Sequence, residues 1–172
     1  MPKKTDPNII LEMKDEFYKN RSAVNGRRKG INFERSIAKK LNGRFKTEEF
    51  CRTPGSGAFG TTHKLPQYLK VHGDLITPEN FKFVIECKNG YDVQMDDIFK
   101  RKSDLYEFIK QAERDGEASG RDWLLIYKKT RRKEVVVTTV RFPVSTFGTI
   151  NNEYFFYSLS DLLELEDLYF LN

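Results

Sequence analysis

Residues 73–88 read GDLITPENFKFVIECK. Asp74 lies in an apolar setting made by Val71, Leu75 and Ile76. Pro78 and Asn80 are turn formers, and the aromatic, β-branched run 81–88 that follows reads as a strand. Side chains alternate faces along a strand, so Lys82, Val84, Glu86 and Lys88 share one side and Phe81, Phe83, Ile85 and Cys87 fill the other. The hairpin brings Asp74 near Glu86 and Lys88, at the polar end of an otherwise buried strand. Two carboxylates and an amine are costly to desolvate without a partner. A divalent cation such as Mg²⁺, which takes carboxylate oxygens, is one such partner. An edge strand with a solvated Glu and Lys and a turn-flanking Asp is the plainer alternative.

The 172 residues suffice for one domain with a sizeable core, and 38% hydrophobic with 32% charged residues suits a polar-surfaced α/β or α+β domain. No apolar run approaches a membrane span, and Met1-Pro2-Lys3-Lys4 has no apolar signal core behind it. A cytoplasmic location, or the host cytoplasm for a viral chain, is therefore expected. Cys51 and Cys87 lack CxxC spacing and read as reduced thiols, and two histidines, His63 and His72, argue against a zinc site. The net charge of +5 is unevenly spread: positions 20–46 hold nine Lys or Arg and one acid, Glu34, whereas positions 153–172 hold five acids and no base. A cationic region of this kind fits nucleic acid, or forms a solvated basic face.

Working outward to the N-terminus, Ile10, Met13 and Phe17 fall at helical spacing and predict a short amphipathic helix over 8–20. A basic connection containing Gly26 is expected over 21–29, then a helix over 30–41 stopped by Asn42-Gly43. The chain is thus divided into an N-terminal arm, 1–26, and a domain, 27–172. Glu34 shares a helix face with Ile37, Ala38 and Leu41, so it points inward. There it either completes a metal site with the Asp74 hairpin or sits at the rim, neutralised by Arg27, Arg28 or Arg35. A first strand is expected over 45–52, leading into the stretch RTPGSGAFGTT at 52–62. Its three glycines let the backbone approach a phosphate closely, although the Walker spacing is missing. Such a segment contacts substrate or simply connects.

Beyond Lys88, Asn89-Gly90 marks a turn, and Asp96 and Asp97 read as a cap or solvated turn. A helix over 103–118 is capped by Ser103, with Leu105, Phe108, Ile109 and Ala112 as its stripe; Gln111 beside it is placed at the surface, with reach to the site as the alternative. Strands over 122–129 and 134–140 flank the basic turn with Arg131 and Arg132, which grips a polyanion or keeps a hairpin tip soluble. Trp123 reads as core. A strand over 154–157 and an acidic amphipathic helix over 160–169 complete the chain. No repeat or second domain is evident.

Glu34 on a first helix, Asp74 across a hairpin and the pair Glu86-x-Lys88 resemble the PD-(D/E)XK nuclease superfamily, with Gly73 where the family name has Pro. The order Arg28-Lys29-Gly30, Glu34-Arg35, a strand ending in Arg52 and a Ser/Gly loop is similar to archaeal-type Holliday junction resolvases. The resemblance implies a restriction-endonuclease-like α/β fold, a mixed central β-sheet flanked by α-helices. It also implies a metal-dependent DNA endonuclease acting on four-way junctions as a homodimer. Asp74 and Glu86 would be ligands of Mg²⁺, for which Mn²⁺ substitutes, with the Cys87 backbone carbonyl a third and Glu34 an additional one. Lys88 would serve the attacking water and the charge at phosphorus. Ser56, or alternatively Thr53, would assist catalysis, and Arg28, Lys29 and Arg52 would bind backbone phosphates. Arg27, Arg35, Thr53, Ser56, Arg131 and Arg132 are further candidate DNA contacts. The interval from Arg52 to Asp74 is longer than in compact members and implies a longer substrate-facing loop. Two rival readings are another nuclease of the superfamily (nicking, restriction-like, or specific for flaps or single strands) and a DNA-binding module with a vestigial site.

Overall fold

The computed structural model describes residues 7–54, 72–100 and 102–172, and side chains from residue 25 onward. The chain begins with one helix, α1 (Pro7–Phe45). The expected break over 21–29 does not form. Gly26 and Gly30 each weaken a helix by only about 1 kcal/mol relative to Ala, and neither a proline nor a turn sequence follows to end it. Termination comes at Lys46, which adopts a left-handed conformation (φ 51°). The strand expected over 45–52 therefore shrinks to β1 (Cys51–Arg52), antiparallel to β2 (Leu75–Ile76).

The main sheet holds β3 (Phe83–Asn89), β4 (Asp122–Lys128), β5 (Glu134–Thr138), β6 (Gly148–Ile150) and β7 (Tyr154–Ser158) in the order β3-β4-β5-β7-β6. β3 and β4 are parallel and the remaining pairs antiparallel, so the sheet is mixed. The parallel pair is joined through a 3₁₀ helix (Met95–Phe99) and α2 (Asp104–Ser119). Ser103 caps α2 by accepting from the Tyr106 amide, and Asp97 accepts from the Gln94 amide at the start of the 3₁₀ helix. Both match the expected capping roles.

Both faces of the sheet are covered, which is why β3 and β4 read as near-continuous apolar runs. Phe33, Ile37, Ala38 and Leu41 of α1 pack with Phe83, Ile85, Leu124 and Ile126 on one face. Leu105, Phe108, Ile109 and Ala112 of α2 pack with Trp123, Leu125 and Tyr127 on the other. A single layered domain of restriction-endonuclease-like type results, as expected. Among the described residues no helix is long and apolar enough to cross a membrane.

The C-terminal helix expected over 160–169 reduces to one turn, α3 (Leu159–Leu162), and a 3₁₀ turn (Asp167–Tyr169). Tertiary partners take its backbone. Arg44 donates to the carbonyls of Leu163 and Leu165, Lys82 N donates to Phe170 O, and Phe81 bridges Leu171. Phe170 then stacks among Phe45, Phe81 and Phe142, closing the core.

Candidate active site

β3 carries the site at its C-terminal end. Because Phe83, Ile85 and Cys87 belong to the core under α1, the even positions of β3 face α2. Glu86 is 1% exposed, and neither carboxylate oxygen has a hydrogen-bond partner of good geometry among the described residues. Lys88 Nζ lies 2.6 Å from Glu86 Oε1, so the two form an ion pair. Burial, and then the charge of Asp74, push the Glu86 carboxyl up to about 8 despite Lys88.

Asp74 is fixed through three hydrogen bonds. Its amide donates to Ile85 O (2.8 Å), its carbonyl accepts from Thr53 N (2.9 Å), and Oδ2 accepts from Cys87 N (2.8 Å). The close approach of this segment to β3 depends on Gly73, which has φ +74°. A Cβ there would stand 2.6 Å from Ile85 O. Proline, with φ near −65°, has no access to that conformation, which accounts for glycine at this place.

Glu34 arrives from α1, buried as its helix face predicted. Its neutralising partner is Arg52, with Nε 2.5 Å from Oε2, rather than Arg27, Arg28 or Arg35. Burial and Asp74 still hold its carboxyl above the usual range, against the opposing pull of Arg52 and Lys88. Among the described residues no group of three or more His, Cys, Asp or Glu side chains is gathered as a ready metal cage. The expected trio of Glu34, Asp74 and Glu86 is therefore not preassembled, because Glu34 is held by Arg52.

Two residues on α2 complete the surroundings: Gln111, weighed from the sequence as a site residue but placed at the surface, and Asp115, for which no role was read. Gln111, expected at the surface, is half-buried, and its Oε1 accepts from Lys88 Nζ at 3.1 Å. Asp115, one turn on, is half-buried and raised by its burial; it feels His72, Asp74 and Lys88. Their signal was the i, i+4 spacing beside the apolar stripe, on the face that meets Glu86 and Lys88. Lys88 also lies 5.1 Å from the centre of the Phe108 ring. Burial works to lower the Lys88 ammonium, but attraction to Glu86 and Asp74 outweighs it and leaves it raised.

Glu34, Glu86 and Asp115 all feel the charge of Asp74 and of Lys88, although among the described residues the four acids are not gathered into one cage. The carboxylate oxygens of Asp74 and of the buried Glu86, on adjoining segments, are donors of the kind that a hard divalent cation takes.

Thr53 is buried beside Asp74, its Oγ1 without a hydrogen-bond partner among the described residues. Ser56 lies outside the described residues. Cys87 is buried, its thiol raised by its surroundings, while Cys51 is exposed. Arg27, Arg28, Lys29 and Arg35 are exposed on α1, and the Lys29 carbonyl accepts from Asn89 Nδ2 (3.3 Å) at the end of β3. Arg131 and Arg132 are exposed at the tip of the β4–β5 hairpin. Since β4 runs parallel to β3, that tip leaves the sheet at the same end as Lys88.

The family model described as "Phage putative PDDEXK endonuclease" matches residues 25–160, and the chain belongs to that family. No curated protein and no solved structure matches it.

Proposed function

As a member of that endonuclease family with this site, we propose, the protein is a metal-dependent DNA endonuclease that hydrolyses phosphodiester bonds. One observation carries the reading: a fully buried Glu86 without a hydrogen-bond partner among the described residues, beside Asp74 and paired to Lys88. A structural role alone gives no return for desolvating that carboxylate. Asp74 and Glu86 would hold Mg²⁺ or Mn²⁺, with the Cys87 carbonyl, and Glu34 would join directly or through water on leaving Arg52. Such an ion, when bound, supplies an acidified water and neutralises charge on the phosphate.

The chain's own groups do the rest. Lys88, steadied by Gln111, orients the attacking water and stabilises charge at the phosphorus. Arg52, released from Glu34, and the exposed cations of α1 bind backbone phosphates. Thr53 or Ser56 assists from the segment before Asp74. The finer reading is resolution of four-way junctions by paired nicks from a homodimer, because the basic α1 face and the hairpin tip flank the site on separate elements.

The test is cleavage with Mg²⁺ or EDTA on a synthetic four-way junction, matched linear duplex, flap and single strand. Paired, metal-dependent nicks confined to the junction support the finer reading. Cutting of the other DNAs keeps the nuclease and discards the resolvase, and tight binding without cutting discards both.

A further inference from the structure

Directly beyond Lys88, a cleft of about 630 Å³ opens between the 90–94 segment, the β4–β5 hairpin and the start of β6. Tyr91, Tyr127 and Phe147 line it, and Lys129, Arg132 and Lys133 supply its cations. Tyr91 and Phe147 are 43% and 59% exposed, unusual for rings that converge on one hollow. The one acid among the described lining residues, Asp92, lies 3.5 Å from Lys129 and leaves the arginine and the other lysine uncompensated by it.

Its position ties it to the site. The Tyr91 ring packs edge-on against Phe108 at 4.7 Å, and the same Phe108 ring lies 5.1 Å from Lys88 Nζ. A phosphate served by Lys88 therefore has its neighbouring nucleotide within reach of Tyr91, at one wall of this cleft.

We propose that this cleft holds an unpaired nucleotide of the DNA adjacent to the phosphate that is cut, which makes a duplex with an unstacked or single-stranded step the preferred substrate class. The proposal rests on the nuclease reading and deepens it. Phosphates of paired DNA satisfy cations, but paired bases keep their faces stacked on one another and offer none to a side chain. An open aromatic hollow rimmed by cations suits a base that has left its stack, its face on a ring and its phosphate on Arg132 or Lys133. The volume falls in the range of roughly 300–1,000 Å³ typical of small-ligand clefts.

The test measures binding, by fluorescence anisotropy in EDTA, of the full chain to a forked duplex and to a blunt duplex of equal length. Wild type is expected to prefer the fork. Phe147→Ala should lower fork affinity about tenfold while leaving blunt-duplex affinity unchanged. Phe147→Tyr should restore the preference, and Tyr91→Ala should repeat the loss. A 2-aminopurine at the first unpaired position should be quenched by wild type and not by Phe147→Ala. An unchanged fork-to-blunt ratio in both alanine variants overturns the proposal. So does a Phe147→Ala effect confined to self-association in sedimentation, which would mark the hollow as a contact between two copies. Because no step of this assay cleaves DNA, failure of the nuclease reading shows separately, as absence of cutting with Mg²⁺ by a protein that still prefers the fork.

Discussion

The Asp74 carboxylate takes the hydrogen bond that a neighbouring strand would otherwise take from Cys87: Cys87 N donates to Asp74 Oδ2 at 2.8 Å. One carboxylate is thereby locked to the strand that carries the other, Glu86. The Asp74 carboxylate is held in place by backbone, a form of preorganisation.

Asp74→Asn retains an oxygen able to accept from Cys87 N, so the variant should fold with a melting temperature close to wild type. It should bind DNA in EDTA as wild type does yet cut none with Mg²⁺. Wild-type cleavage rates in this variant would refute the site assignment.

Glu86 provides a pH signature. Its carboxyl stands near 8 in the folded chain, above the ordinary 4.5, so the folded state keeps the proton longer than the unfolded state. Its contribution to stability is full below pH 4.5 and is lost as pH rises through 8. Glu86→Gln removes that dependence, so the melting-temperature difference should move in the variant's favour across this window. A tenfold difference in proton affinity between the folded and unfolded chain is worth about 1.4 kcal/mol, or about 3–6 °C of melting temperature in a chain of this size. Added Mg²⁺ should raise the wild-type melting temperature and leave Glu86→Gln unmoved. Thermal melts at about pH 5 and about pH 8.5, either side of the titration, decide it.

Gly73→Ala forces a Cβ to within 2.6 Å of Ile85 O and 2.7 Å of Val84 Cγ1, at φ +74°. Denaturant unfolding should show a loss of about 1–3 kcal/mol. Cleavage should fall with it, because the displaced backbone carries Asp74.

Gln111→Ala removes the neutral acceptor of the Lys88 ammonium. The turnover rate should fall about tenfold, the worth of one hydrogen bond to a charged group, with KM and melting temperature little changed. Gln111→Asn, one carbon short, should not rescue it. Equal loss in KM would assign Gln111 to DNA binding instead.

Arg27→Ala with Arg28→Ala should weaken binding to every DNA alike. In a plot of log affinity against log salt, the slope should shrink by about 1.8, corresponding to two lost phosphate contacts.

The alternation over 81–88, the Ser103 cap and the apolar stripe of α2 were legible in the sequence because they are local: period two, period 3.6, and a hydroxyl three residues from an amide. Asp74, Glu86 and Lys88 came together, but not through the expected hairpin: β2 pairs with β1 rather than with β3, and Asp74 reaches β3 through its amide on Ile85 O and its carboxylate on Cys87 N. Glu34 pointed inward as read, but its partner could not be read. Arg52 reaches it only because β1 pairs with β2 beside α1.

What the sequence determined by itself, then, is the mixed α/β architecture and a polar end on β3, through patterns each complete within about a dozen residues. Tertiary structure alone decided that Gln111 holds Lys88 and that Gly73 must stand where φ is positive. It also decided that the C-terminal segment gives up its helix to Arg44 and Phe81, and that Tyr91, Tyr127 and Phe147 line one cleft. Each of these depends on a contact between groups distant along the chain, and such contacts exist only once the core has folded.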